Sequence, residues 1–247
     1  MNIGWTTIED GFDLLFEKPS KVSERVAEEY DNTILQHCLG VNDLWKNIFS
    51  VKLPFDLKIT YDEKSQKVLI DEDFTDVDVN AMISIITNDT NAYTKNPIIQ
   101  IALLQFLSTD KQCLLTVMPP IFELDKNPMW QYIRIVSGTL NTYDWHRDIN
   151  FSFEWLDTSK PIIIKKDTPI LYLKFNSENL NESFTMKRLK FDGKIKESYT
   201  RCVKSRDFIK RNTRWLLKRN KDMRPKHIVD TECPFSKATS KIKFWKK

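Results

Sequence analysis

Between Ile149 and Trp155 the chain alternates without a break: Ile149, Phe151, Phe153 and Trp155 are apolar, while Asn150, Ser152 and Glu154 between them are polar. A period of two sends successive side chains to opposite faces, so this segment is a strand with one face on a core. A helix would scatter the same four apolar groups around its circumference. The neighbouring segments carry related patterns. Leu57, Ile59 and Tyr61 alternate with Lys58 and Thr60, and Glu63–Gln66 turns the chain into Val68–Ile70, the signature of a β-hairpin. Trp130–Val136 reads as a strand ending at Gly138. Pro161–Ile164, the polar turn Lys165–Thr168 and Ile170–Phe175 follow the same rule.

Other segments are less regular. Pro97–Leu107 is almost continuously apolar and suits a buried helix or a strand covered on both faces. Ser108–Lys111 and the run Cys113–Met118 follow it, which favours a buried hairpin. Residues 71–80 form an acidic connector, with a short apolar run from Met82 to Ile86 beyond it. From Asp192 the period becomes helical: Ile195, Tyr199, Cys202, Ile209 and Leu216 recur at three, four or seven, and Pro225 sets an outer limit. The expected fold is therefore α+β. Residues 1–54 form an N-terminal partly helical segment and residues 55–191 an antiparallel β-sandwich or roll. Residues 192–247 form a long basic C-terminal helix and tail.

Composition narrows the function classes. The chain has 247 residues, 41% of them hydrophobic, enough for a core of its own. With five glycines it shows no P-loop or GxGxxG, and neither GxSxG nor HExxH occurs. No apolar stretch is long enough to span a membrane and the first residues do not resemble a signal peptide, so a cytoplasmic setting and no membrane contact are expected. Cys38, Cys113, Cys202 and Cys233 form no CxxC pair; free thiols are expected, and no cofactor.

Net charge is only +4, but it is unevenly distributed. Residues 184–247 hold 21 Lys and Arg against six Asp and Glu, an excess of 15, whereas residues 1–183 carry a deficit of 11. A dense cationic array suits phosphates, because displaced counterions drive binding. Lys204, Lys210, Arg211, Arg214, Lys218 and Arg219 are the candidate nucleic-acid contacts, with Trp215 able to stack on a base. Equally, such a helix can lie against the acidic body or an acidic partner, its lysines forming a solvated face.

One hexapeptide, Tyr143–Asp148, carries chemistry-bearing residues in close order. His146-x-Asp148, joined by the distant His227, has the composition of the facial triad that holds Fe(II) in non-haem oxygenases. Those enzymes place the second His on a strand and follow it with an Arg; here His227 lies beyond the expected helix and Arg is absent after it. A packed Trp145 with Arg147 paired to Asp148 or Asp144 explains the same residues without a metal.

Residues 138–175 resemble a family of uncharacterised proteins encoded by tailed phages of marine bacteria, of the cyanophage type. The matching positions are Trp145, Arg147, Ile149, Asn150, Pro169, Tyr172 and Phe175. Cys38, Asn42-Asp43, Lys46-Asn47 and Pro54-x-Asp56-Leu57 are similar to the family's opening, and Cys233-Pro234-Phe235 to its end. The chain departs from the pattern at His146 and Asp148, where the family has an aromatic residue and a proline. The resemblance assigns no activity. It implies a phage-encoded binding or structural protein, acting in the infected cell or the virion through self-association or a phage or host protein.

Overall fold

A computed structural model describes residues 1–8, 15–24, 38–75, 78–86, 94–143, 146–179, 181–191 and 193–208. The strands are β1 (Asn2–Thr7), β2 (Ser20–Lys21), β3 (Ile48–Lys52), β4 (Leu57–Asp62), β5 (Lys67–Ile70), β6 (Ile83–Ile85) and β7 (Ile98–Thr109). They continue with β8 (Leu114–Met118), β9 (Ile133–Ile135), β10 (Gly138–Asn141), β11 (Asp148–Trp155), β12 (Ile162–Ile164), β13 (Pro169–Asn176) and β14 (Thr185–Arg188). Among the elements described in full are the α-helices α1 (Leu39–Trp45) and α2 (Gly193–Phe208). The fold is a β-rich α+β one.

The strands form three sheets. Six strands make the first, in the order β14-β1-β7-β11-β9 with β6 also on β7; five make the second, β10-β8-β13-β3-β2; three make the last, β12-β4-β5. One apolar cluster joins them. Trp5, Ile101 and Phe151 come from the first sheet, Val51, Leu115 and Leu173 from the second, and Leu57, Ile59 and Ile162 from the third. On the opposite face of the five-stranded sheet, Ile48 and Tyr172 pack with Trp45 of α1 and with Phe122. On the opposite face of the six-stranded sheet, Phe106 packs with Leu189 and with Ile195 of α2.

The alternation of β11 has the expected outcome. Ile149, Phe151, Phe153 and Trp155 are buried in the core. Its polar positions are also used: the Glu154 carboxylate accepts from the Thr94 hydroxyl, from Asn96 Nδ2 at 2.9 Å and, at 3.4 Å, meets Arg134 Nη1. Those bonds, Thr94 first, hold the carboxyl below its ordinary range against the opposing effect of burial. The hairpin β4–β5 is present, with Gln66 in the left-handed region at φ 51°.

Several expectations need correction. β7 and β8 do not form a hairpin: β7 pairs with β1, β6 and β11, whereas β8 pairs with β10 and β13 in another sheet. The reason lies at the turn. Asp110 accepts from Asn2 N and Nδ2 at 3.3 and 3.2 Å, so the end of β7 is held to β1 while the chain crosses to the second sheet. The sheets are not wholly antiparallel, because β1 runs parallel to β14. Residues 1–54 supply β1 and β3 to the two large sheets as well as α1. Trp130–Gln131 lies in a 3₁₀ turn, Pro128–Gln131, that Asn127 caps by accepting from Met129 N at 2.9 Å; the strand begins only at Ile133. The C-terminal helix is described to Phe208, and residues 209–247 lie outside the described residues.

Asn47 ties the second sheet to the segment before β14. It adopts φ 64°, a conformation Asn tolerates better than most residues, and its carbonyl accepts from Phe175 N at 3.0 Å. Its side chain donates to Glu182 O at 2.8 Å and accepts from Phe184 N at 3.1 Å. Asn47→Ala removes both side-chain bonds and the residue type suited to that backbone. The expected cost is about 1–3 kcal/mol, read as a lower urea midpoint with an unchanged slope.

Candidate functional site

The residues with the most chemical character converge where α2 meets the six-stranded sheet. Gly193 opens the helix at φ 48°, a backbone conformation that glycine adopts without steric cost. Ile195, Ser198 and Cys202 are buried and Tyr199 is half-buried, the spacing that places all four on one face. Lys194, Lys196, Glu197, Thr200 and Arg201 are exposed on the other. Arg201 Nη2 donates to Glu197 Oε1 at 2.6 Å one turn back.

Phe106, on the far face of β7, is the apolar centre of this junction. Its ring lies 5.5 Å from Phe191, 6.1 Å from the His146 ring and 6.2 Å from Tyr199. Two polar contacts fix the helix register over it. His146 Nδ1 and Ser198 Oγ are 2.5 Å apart, and both residues are wholly buried. Tyr199 Oη donates to Asp148 Oδ1 at 3.2 Å. His146 lies just before β11 and Asp148 is its first residue, and each is engaged by a different residue of α2.

This arrangement bears on each candidate residue. His146 and Asp148 lie together, but as the seat of a helix; His227 lies outside the described residues. Among the described residues, no group of three or more His, Cys, Asp or Glu could hold a metal ion. Lys204 belongs to α2, whereas Lys210, Arg211, Arg214, Trp215, Lys218 and Arg219 lie outside the described residues. Ser198 was not singled out by the sequence. Its signal is a hydroxyl in the middle of the stripe Ile195–Cys202, where a helix facing a wholly apolar surface would carry an alkyl group. A serine bonded to a histidine is also the geometry of an activated nucleophile. Here both groups are sealed from solvent, so the pair acts as a latch between helix and sheet.

Cys113 is a second buried group with latent reactivity. Its thiol donates to Asn176 O at 3.3 Å, and burial pushes its pKa up to about 11. Cys38 is exposed.

Compared with known proteins, the chain matches no protein-family model and shows no significant match to a curated protein. Among the described residues, no helix is long and apolar enough to cross a membrane.

Two outcomes are expected here. Ser198→Ala removes the hydroxyl from His146 and costs about 0.5–2 kcal/mol. Hydrogen exchange in α2 should quicken more than in β11. In the native protein at pH 8, iodoacetamide should modify Cys38 and spare Cys113 until the chain is unfolded, as peptide mapping by mass spectrometry would show.

Proposed function

We propose that this chain is a phage-encoded, non-enzymatic binding or structural protein, whose β-sandwich body holds a basic C-terminal arm that mediates assembly. The observation that carries this reading is the seating of α2. His146 and Asp148, the residues best suited to chemistry, are bonded to Ser198 and Tyr199, and so anchor the first turns of the most cationic part of the chain. The opposite face of α2 presents Lys194, Lys196 and Arg201 outward. In this reading Lys210, Arg211, Arg214, Lys218 and Arg219, which lie outside the described residues, add further positive charge to that arm. The arm's natural counterpart is an acidic surface on a second copy or on a phage or host protein, in the infected cell or the virion. The resemblance of residues 138–175 to phage proteins supports that setting.

A second reading is favoured by the charge itself. An excess of 15 over residues 184–247 is of the size that binds nucleic acid through phosphate contacts, and Trp215 would stack on a base. Light-scattering mass in low and high salt, with and without a short single-stranded DNA, separates the two. Assembly predicts a fixed oligomer indifferent to DNA, lost when the chain is cut after Phe208. A salt-sensitive gain in mass only with DNA would replace it with the nucleic-acid reading. A monomer unchanged in every condition would remove both.

A further inference from the structure

The outer face of the five-stranded sheet is covered unevenly. Trp45 and Phe122 lie over the Ile48 and Tyr172 end of it. Further along β3, on the same face, Lys52 is half-buried and Ser50 lies buried beside β2, where Ser20 pairs with Ser50 across the ladder. Lys18, from the approach to β2, and Lys166, from the turn before β13, complete the walls of a cleft of about 200 Å³. Glu17 and Asp167 line it as well.

The turn is held in place by specific bonds. Asp167 N donates to Leu53 O at 2.7 Å and Leu53 N to Thr168 O at 3.1 Å, which ties the turn to the end of β3. The Asp56 carboxylate accepts from Lys166 N at 2.7 Å and from Lys165 Nζ at 3.0 Å. Lys165 is thereby paired outside the cleft, while Lys166 is brought to the wall that Lys52 occupies.

Two features of the wall call for a ligand. Ser50 is 3% exposed, and its hydroxyl has no hydrogen-bond partner. A buried hydroxyl left unpaired is costly, and most such groups in folded proteins have a partner. Beside it, the ammonium groups of Lys52 and Lys166 close no ion pair among the described residues, although a carboxylate, Asp167, follows Lys166 directly in the wall. One donor hydroxyl and these two ammonium groups, with Lys18, whose Nζ donates to Met186 O at 3.4 Å, in the same wall, match an oxyanion with several acceptor atoms and more than one negative charge.

We propose that this cleft binds a small phosphomonoester, with the phosphoryl oxygens on Ser50 Oγ, Lys52 and Lys166, and Lys18 as a further cation. A monoester carries between one and two charges at neutral pH and three strong acceptors, which a carboxylate does not. Glu17 and Asp167 disfavour an extended polyanion and suit a compact ligand whose own hydroxyl or amino groups can donate to them. The site lies on a different sheet from α2 and does not depend on what the basic arm binds.

The test uses the full chain with inorganic phosphate and with glycerol phosphate, against sodium acetate at matched ionic strength. Isothermal titration and thermal unfolding should show saturable binding of glycerol phosphate, and acetate should give neither heat nor a Tm rise. Lys52→Gln with Lys166→Gln, both at the cleft wall, should weaken binding at least about tenfold, as should Ser50→Ala. Unliganded Tm and circular dichroism of the variants establish that they remain folded. Absence of saturable binding would overturn the proposal. So would equal affinity in the folded lysine variant, which would move the phosphate to the basic segment; nucleic acid competing for the cleft in proportion to its phosphate content would likewise reject a compact ligand.

Discussion

The twelve-residue strand β7 is the constraint on which the rest of the molecule depends. One edge pairs with β11 along most of its length, and the other is divided, with β6 on Ile99–Ile101 and β1 on Gln105–Thr109. The division falls at Leu104, which adopts φ 54° where the register against β11 shifts between Ile149 and Asn150. A left-handed leucine costs on the order of 1 kcal/mol or more, so the surrounding pairing has to enforce it. Ile8 N donates to its carbonyl at 2.9 Å, using the group that the bulge turns out of the ladder. Two extra residues in the bulge preserve the alternation, so Ile99, Ile101, Leu103 and Leu107 all reach the shared core.

Phe106 is the fully buried apolar side chain of β7 that packs outside the shared core, and the α2 seat is built around it. The sheet thus presents a ring to be covered, and the helix that covers it starts the most cationic quarter of the sequence. His146 and Asp148 add direction to a contact that apolar burial alone would leave free to slide, because each accepts only one register of Ser198 and Tyr199. The polar pair costs little when made and much when broken, so it specifies geometry more than it adds stability.

How much of this was legible in the sequence depends on the range of the interaction. Local periodicity revealed β11, the β4–β5 hairpin and the start of α2, since each is written in the spacing of neighbours such as Ile149, Phe151 and Phe153. It could not say which sheet a strand joins. Cys113–Met118 follows Pro97–Leu107 closely, and the two part company because Asn2, more than a hundred residues earlier in the chain, holds Asp110. The Leu104 bulge has no glycine to announce it. The latch needs Ser198 to be set beside His146, and the cleft needs Lys18, Ser50 and Lys166 to meet, pairings that no window of sequence contains. Composition did show the charge asymmetry, which is a sum and needs no contacts.

The parallel pairing of β1 with β14 has a consequence for biosynthesis. Ile3 lies opposite Thr109 on one side and Met186 on the other, and the Trp5 indole donates to Gln105 at 2.9 Å while Arg188 sits 5.0 Å from its ring. β1 is therefore synthesised well before either of its neighbours, β7 and β14. It waits for about a hundred residues before one neighbour exists and for most of the remaining chain before the other does. During translation Ile3 and Trp5 are an exposed apolar edge without a mate, so the nascent protein is at its most adhesive before its C-terminal third has been made.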